Sequence, residues 1–300
     1  MLTGLRLAIV GGDARMLEVI TQVSELDATV DAYGFERVKL FGQDITKRTL
    51  HTDTLQKADA IVLPVSGMQD DGLIDTRYAD QPLRLGEEHF ALLRKSTPIF
   101  TGIAKEALVS MTAKHQLSLV KLMEHDDVAI RNSIPTAEGT LALMMEHTAI
   151  TIHSSHCVVL GFGRTAVTLS RLLKAVGAQV SIVARNPADL ARAFEMGLTP
   201  YDLASIEQAL VEADVIVNTI PALVLTSAVL SHVDPQTLVI DIATTPGGTD
   251  FRFAEKRGIQ AILAPSLPGI VAPKTAGKIL ARALIANLHE RLKANGGEGV

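Results

Sequence analysis

The sequence has one cysteine, no tryptophan, and aromatic residues at only 4% of its 300 positions. A lone cysteine, Cys157, excludes an intramolecular disulfide framework and favours a reducing compartment. It lies in the apolar run of residues 157–160, which predicts a buried strand position, with a reactive thiol as the alternative. No metal-binding motif accompanies it, so we predict no metal site.

Long hydrophobic runs and an excess of basic residues are also lacking. No apolar stretch reaches the roughly 18 residues typical of a membrane helix, and the N-terminus lacks the pattern of a signal peptide. Lys and Arg number 28 against 33 Asp and Glu, a net charge of −5, which argues against nucleic acid or an anionic membrane as partner. We therefore expect a cytoplasmic protein that acts on small molecules.

Short apolar segments alternate with amphipathic helical segments along the whole chain. Examples of the predicted strands are Arg6–Val10 in the first half and His156–Leu160 in the second. Continuous apolar strands separated by helices indicate parallel sheets that are covered on both faces. The predicted fold is α/β, with two doubly wound parallel-sheet domains, the second an NAD(P)-binding Rossmann fold.

Two helices define the predicted domain organisation. A helix over residues 136–150 joins the halves, and a final helix over residues 278–292 is expected to pack back across the first domain. We therefore predict a discontinuous first domain, residues 1–133 plus 278–300, and a nucleotide-binding domain of residues 134–277.

The most specific chemical motif is a G-x-G-x-x-A fingerprint between a predicted strand and a predicted helix. Its first glycine permits a tight turn, its second lets a pyrophosphate approach the backbone, and its alanine lets helix and strand pack closely. Backbone N–H groups and the positive end of the helix dipole would face the anion. The alternative is a glycine turn that serves packing alone. The predicted cofactor-binding residues here are Gly161, Phe162, Gly163, Arg164, Thr165 and Ala166.

The residues after the next strand favour NADP over NAD. An NAD-binding chain usually carries Asp or Glu roughly 20 residues beyond the glycine loop, whereas this chain has Arg185 and Asn186. Arg185 can pair with a ribose phosphate bidentately, Asn186 can donate from a helix start, and Arg164 adds a second positive charge. The alternative is that Arg185 is a solvated surface cation.

Further cofactor contacts are predicted at the ends of the following strands. In a doubly wound sheet these positions meet the nicotinamide ribose and ring, although the proline here also suits a simple turn. The residues concerned are Thr219, Ile220, Pro221, Asp241 and Ala243.

Three stretches join the glycine loop in a resemblance to a known family. They are residues 8–15 (AIVGGDAR), 132–139 (NSIPTAEG) and 265–277 (PSLPGIVAPKTAG). On these motifs the chain resembles the A-subunit family of dipicolinate synthases from spore-forming bacteria, over essentially its whole length. Its second half is also similar to the nucleotide domains of D-2-hydroxyacid dehydrogenases and adenosylhomocysteinase.

The resemblance implies an NADP-dependent oxidoreductase that converts dihydrodipicolinate to dipicolinate, pyridine-2,6-dicarboxylate, during sporulation. It also implies a substrate from the lysine (diaminopimelate) pathway and, as partner, the flavoprotein-like B subunit of dipicolinate synthase, in the cytoplasm of the mother cell. We also expect a homo-oligomer. Two alternatives stay open: a cofactor-binding protein that organises an assembly while the B subunit completes the chemistry, and a 2-hydroxyacid dehydrogenase-like oxidoreductase.

A dicarboxylate substrate requires donors and cations in a cleft between the two domains. The predicted substrate-binding residues are Ser66, Gly67 and Thr136, the last of them at a predicted helix start. Lys105 and Lys274 are candidate cations, with surface lysines as the alternative.

The catalytic candidates comprise these two lysines and two further side chains, Glu138 and His153. Glu138 falls in the first turn of the predicted joining helix, where the dipole alone favours a carboxylate. His153 is a candidate general base, with an exposed loop residue as the alternative.

The first glycine pair, which Asp13 and Arg15 follow, is a further place where an anion could bind. A helix cap is the alternative role for Asp13.

Overall fold

The computed structural model describes residues 1–296, which form two compact units. Unit 1 comprises Met1–Ala129 and the segment from Ala272 onward, and unit 2 comprises Ile130–Val271. The predicted boundaries at 133/134 and 277/278 lie a few residues C-terminal to these, and residues 297–300 of the predicted first domain lie outside the described part. Within residues 1–296, no helix is long and apolar enough to cross a membrane.

Unit 1 alternates strands and helices. Its elements are β1 (Arg6–Val10), α1 (Ala14–Ser24), β2 (Thr29–Tyr33), β3 (Ile45–Arg48), β4 (Ala60–Val62), β5 (Leu73–Ile74), β6 (Leu83–Arg84), α2 (Glu87–Ala91), β7 (Ile99–Thr101), α3 (Glu106–Lys114) and β8 (Leu119–Lys121). Six of the strands form a parallel sheet in the order β3-β2-β1-β4-β7-β8, and β5 and β6 form a small antiparallel pair.

The helix α4 (Asp126–His147) leads from unit 1 into unit 2, and the elements of unit 2 follow it. They are β9 (His156–Leu160), α5 (Arg164–Ala175), β10 (Gln179–Ala184), α6 (Pro187–Glu195), β11 (Thr199–Asp202), α7 (Ile206–Leu210), β12 (Val215–Asn218), α8 (Ser227–Leu230), β13 (Leu238–Asp241), α9 (Phe251–Arg257), β14 (Ala261–Leu263) and α10 (Leu267–Val271). The sheet order is β11-β10-β9-β12-β13-β14, and all strands are parallel. Counted within each unit, both sheets have the order 3-2-1-4-5-6 of a dinucleotide-binding fold. The predicted fold class is confirmed.

The central strands are buried on both faces, as their unbroken apolar sequences predict. In β9, Cys157 and Val159 belong to one hydrophobic cluster, while Val158 and Leu160 belong to the cluster on the other face. Because successive strand residues point to opposite faces, each face of the sheet is covered by its own layer of helices.

The joining helix begins ten residues before its predicted start at residue 136, at Asp126. The predicted start directly follows Pro135, a residue that is unfavourable in the interior of a helix. The structure instead holds Pro135 inside the helix, where neighbouring hydroxyls bond the backbone carbonyls: Ser133 Oγ donates to Ile130 O at 2.6 Å and Thr136 Oγ1 to Asn132 O at 2.9 Å. Such side-chain bonds satisfy carbonyls near a helical proline.

The last helix, α11 (Pro273–Gly296), returns the chain to unit 1 and packs on α1. Its apolar residues, among them Leu280 and Leu284, share a core cluster with Val19 of α1. A Cβ on Gly277 would lie 2.5 Å from the carbonyl oxygen of Arg15, so only glycine permits this approach of the two helices. The first domain is therefore discontinuous in sequence.

Candidate functional site

The glycine turn after β9 is held between the two neighbouring strands. Gly161 has φ +97°, and its amide donates to Val183 O of β10 at 2.8 Å. On the other side, Thr219 Oγ1 donates to Leu160 O at 2.7 Å, and a Cβ on Gly161 would lie only 2.5 Å from that hydroxyl. Glycine is therefore required at position 161 by both backbone conformation and space.

The helix α5 starts directly after this turn with an N-terminus that no side chain caps. Its N-cap is Gly163, with φ −77°, and no described atom beyond its chain neighbours lies within 4 Å of the position of a Cβ there. The first N–H groups of a helix have no intrahelical acceptor, and the helix dipole adds partial positive charge. This arrangement fits the pyrophosphate of a dinucleotide.

A groove of about 310 Å³ lies beside this helix start. Seven of the predicted cofactor residues line it: Gly163, Arg164, Thr165, Ala166, Thr219, Pro221 and Ala243. Ile242 and Thr244 line it as well. Sequence reasoning missed these two as contacts because it took only the polar end of β13 and the alanine as cofactor positions. The predicted residues Gly161, Phe162 and Ile220 lie in the adjoining turns and are not among the lining residues.

Asp241 lies beneath the groove and not in its wall, contrary to its predicted contact with the cofactor. Its side chain is fully buried and holds the loop that follows β13. Oδ1 accepts from Ala243 N at 3.1 Å, and Oδ2 accepts from Gly248 N and from Thr249 Oγ1, both at 2.7 Å. The carboxylate therefore positions the residues that line the groove.

The end of β10 presents Arg185 and Asn186 at the same carboxyl edge of the sheet as the glycine turn. Arg185 is exposed, and within the described residues its guanidinium makes no hydrogen bond or ion pair. Asn186 caps α6, with Oδ1 accepting from Ala188 N at 3.0 Å, so its amide N–H₂ stays available as a donor. Neither residue belongs to the groove lining.

In unit 1, three of the predicted substrate-side residues lie at the carboxyl edge of the sheet. Ser66 and Gly67 follow β4, and Lys105 follows β7 as the N-cap of α3. The Lys105 ammonium donates a short hydrogen bond to the side-chain oxygen of Gln69. Because β4 and β7 are neighbours, these groups converge on one part of the edge.

The other predicted substrate-side and catalytic residues have different surroundings. Lys274 is exposed in the first turn of α11, three residues before the contact of Gly277 with α1. Thr136 and Glu138 lie in the interior of α4, so the predictions of a helix start and of a first-turn carboxylate are wrong. The free N–H groups expected at Thr136 are absent there because the helix already has its first turns upstream.

His153 is remote from the glycine turn. It precedes the amino end of β9, and the five residues of that strand separate it from the turn by about 16 Å. Its Nδ1 is bonded to Ser154 Oγ at 2.9 Å, and its ring lies against Gly177. His153 therefore lies far from the groove of unit 2, and its role as a catalytic base stays a prediction.

Comparison with protein families divides the chain at α4. Residues 6–123 match the N-terminal domain of the dipicolinate synthase A subunit, and residues 135–299 match the C-terminal domain of alanine dehydrogenase and PNT. Unit 2 is thus a dinucleotide-binding domain of a dehydrogenase family, which supports an oxidoreductase.

Individual relatives match over nearly the whole length. The chain is 44% identical over 290 residues to the dipicolinate synthase A subunit of Bacillus subtilis strain 168, covering 97% of this chain and 98% of that protein. The crystal structure of that Bacillus subtilis protein has a TM-score of 0.91, covering 98% of this chain and 99% of the other. The structure of the dipicolinate synthase A subunit from Bacillus halodurans has a TM-score of 0.93 and 46% identity, covering 96% and 99%. With this identity along both units, the chain belongs to the A-subunit family of dipicolinate synthases.

Proposed function

We propose that the chain itself catalyses the NADP-dependent oxidation of dihydrodipicolinate to dipicolinate in the mother cell of a sporulating bacterium, and that it acts there as the partner of the B subunit of dipicolinate synthase. The assignment as an oxidoreductase is supported mainly by the groove of unit 2. This groove has an uncapped helix start and open space at Gly163. The substrate and the B subunit come from the family to which the chain belongs.

The reaction removes one hydride and one proton from a dihydropyridine ring. NADP, when bound, supplies the acceptor for the hydride, so dihydrodipicolinate and NADP⁺ yield dipicolinate, NADPH and H⁺. The gain of aromaticity drives the reaction, and the protein has mainly to orient the ring and exclude competing geometries.

The residues of unit 2 suit the holding of this cofactor. The first-turn N–H groups of α5 can donate to the pyrophosphate, and Thr219 and Ala243 line the same groove. Arg185 has free donors at the carboxyl edge, where a ribose 2′-phosphate would add negative charge, and Asn186 can add one more donor. These features support NADP over NAD.

The substrate side of the proposal rests on unit 1. Lys105 and Lys274 are the proposed cations for carboxylate groups, and the Ser66 hydroxyl adds a donor beside Lys105, whereas the Gly67 amide already donates to Pro64 O at 2.9 Å. Glu138 is exposed and stays a candidate for proton transfer.

Turnover by the purified chain tests the proposal. The chain is given NADP and freshly generated dihydrodipicolinate, and the absorbance of the pyridine product and of NADPH is followed with and without the B subunit. We expect equal amounts of both products from the chain alone. Cofactor binding without turnover until the B subunit is added would instead favour the role of an assembly-organising protein.

A comparison of substrates distinguishes the proposed activity from that of a 2-hydroxyacid dehydrogenase-like oxidoreductase. A 2-hydroxyacid dehydrogenase-like enzyme would reduce NADP with a panel of small 2-hydroxy acids and would leave dihydrodipicolinate at its uncatalysed rate. That result would overturn the proposed substrate while leaving the cofactor assignment in place.

A further inference from the structure

The long segment between β4 and β7 folds back onto the first glycine turn of the chain. Gly12 N donates to Asp75 O at 2.7 Å, and Arg77 N donates to Gly12 O at 3.0 Å. Thr76 forms a parallel bridge with Gly12 between these two bonds. The backbone of Arg77 is thereby fixed at the carboxyl end of β1, although 65 residues separate it from Gly12 in sequence.

This position is the point where the strand order of the sheet reverses. In the order β3-β2-β1-β4-β7-β8, the chain winds outward in one direction from β1 and in the other from β4. Open α/β sheets bind ligands in the crevice at the carboxyl ends of the strands at such a point. Arg77 therefore stands where unit 1 is expected to bind a ligand.

The guanidinium of Arg77 is exposed and makes no hydrogen bond or ion pair within the described residues. Two other arginines of unit 1 donate to carboxylates. Arg15 is almost fully buried and pairs with Asp13, with Nη2 to Oδ2 at 2.7 Å and Nε to Oδ1 at 3.0 Å. Arg84 pairs with Asp71 at 2.8 Å. Arg77 is thus an anchored arginine whose donor groups stay available.

The surroundings of Arg77 favour an anion. The Thr76 side chain lies beside Gly11, and its neighbours Asp75 and Arg77 are both exposed. Asp75 Oδ2 lies 3.5 Å from Ser66 Oγ, and Lys105 bonds the amide of Gln69 on the β7 side. Asp13 is paired with Arg15, and Arg77 and Lys105 are two cations of this edge that make no ion pair within the described residues.

We propose that Arg77 binds a carboxylate group of the dicarboxylate substrate through both arms of its guanidinium, with Lys105 on the opposite side of the crevice. This inference rests on the proposed function and adds to it a residue that determines the substrate class. Arginine suits the role because its planar fork matches the two oxygens of a carboxylate.

Binding of pyridine-2,6-dicarboxylate to the full chain tests the inference independently of turnover. Calorimetric titrations compare the wild type with R77Q, R77K and the control R84Q, which removes an arginine paired with Asp71 on the same segment. We expect R77Q to weaken binding about 10- to 100-fold, as for loss of a charged hydrogen-bonded pair, and R77K to fall between R77Q and the wild type. The control should stay within about twofold of the wild type, and thermal melting of each variant verifies the fold.

The outcomes separate the two proposals. If the wild type binds the dicarboxylate and R77Q binds it equally well, the role of Arg77 is overturned while the proposed function stands. If R77Q and R84Q weaken binding equally, a general loss of positive charge explains the effect and the specific role is overturned. If the wild type does not bind the dicarboxylate at all, both the substrate class and the role of Arg77 are overturned.

Discussion

The amide of Gly12 donates to the carbonyl oxygen of Asp75 at 2.7 Å, so the glycine turn of unit 1 is closed by the protein's own backbone. The helix after it is closed as well, since Asp13 caps α1 by accepting from Arg15 N at 3.0 Å. In unit 2 the helix start at Gly163 is uncapped, with open space beside it. Two sheets of the same strand order therefore differ in whether their phosphate-binding groups are available.

We predict that each chain binds one dinucleotide, although both units have the strand order of a dinucleotide-binding fold. The Asp75 carbonyl and the Asp13 carboxylate accept from the backbone N–H groups of Gly12 and Arg15, so these donors of unit 1 are not available to a phosphate. Isothermal titration with NADPH should give a stoichiometry near one per chain. Two equivalent sites per chain would contradict the interpretation of the closed turn.

Alanine substitutions at the two glycines of unit 2 should separate folding from cofactor binding. G163A places a methyl group in open space at an ordinary φ, so we expect a melting temperature close to that of the wild type and a Kd for NADPH raised at least about tenfold, because the methyl obstructs the pyrophosphate. G161A forces a Cβ to within 2.5 Å of Thr219 Oγ1 at φ +97°. It should lower stability by about 1–3 kcal/mol. Equal stability of the two variants would contradict this assignment.

The central strands could be predicted from sequence because their boundaries are local. β1 and β9 have the predicted limits, since each apolar run ends at a glycine turn. The edge strands β3 and β11 were missed: ITKR and TPYD are short and polar, and their pairing with a neighbouring strand alone makes them strands. The helix α4 was predicted only from Thr136 onward, whereas it begins at Asp126 and continues through Pro135, which local preference disfavours inside a helix.

Charge reversal at Arg185 tests the preference for NADP. R185E should weaken NADPH binding about 10- to 100-fold, because a carboxylate replaces a cation beside the 2′-phosphate, and it should leave NADH binding unchanged or improved. Fluorescence titration with both nucleotides measures the ratio. R192E is the matched control, because Arg192 is exposed on α6 and pairs with Glu195 at 3.0 Å. An unchanged NADPH affinity in R185E would remove Arg185 from the site.

Asp241 should prove a structural determinant of the groove. D241N leaves an N–H₂ group facing backbone or hydroxyl donors in a fully buried position, so we expect a loss of about 2–3 kcal/mol in the free energy of unfolding. T249V removes one of the three bonds to this carboxylate and should cost about 1 kcal/mol. Both variants should weaken NADPH binding, and D241N should weaken it more than T249V does. Wild-type stability of D241N in urea unfolding would contradict this role.

Cys157 should be unreactive in the folded protein. Burial raises the pKa of its thiol to about 11, and the side chain is fully buried in β9. At pH 8 the thiolate, which is the reactive form, is therefore scarce, and ionisation costs stability as the pH rises from the ordinary thiol pKa of about 8.5 towards 11. A disulfide reagent should label the native chain only at its unfolding rate and the denatured chain at once. Rapid labelling of the native chain would contradict a core position.

The two halves of the candidate site differ in how far sequence predicts them. The uncapped helix start beside the groove of unit 2 is built from consecutive residues, so the fingerprint from Gly161 to Ala166 predicts it. The proposed substrate-binding part of unit 1 depends on a long segment that returns to β1, and nothing near Arg77 in sequence signals its contact with Gly12. His153 is close to β9 in sequence but precedes the strand, so it lies at the amino end of β9, whereas the glycine turn follows the carboxyl end.

The return of α11 to α1 sets an order of events during synthesis. The apolar side of α1, including Val19, is covered by Leu280 and Leu284 of α11, so unit 1 completes its core only after these residues have been synthesised. Every strand of unit 2 emerges earlier, so the nucleotide-binding half can fold while α1 is still uncovered. A chain released just before Leu280 would keep a folded groove and expose an apolar helix face, which makes such products targets for chaperones and proteases.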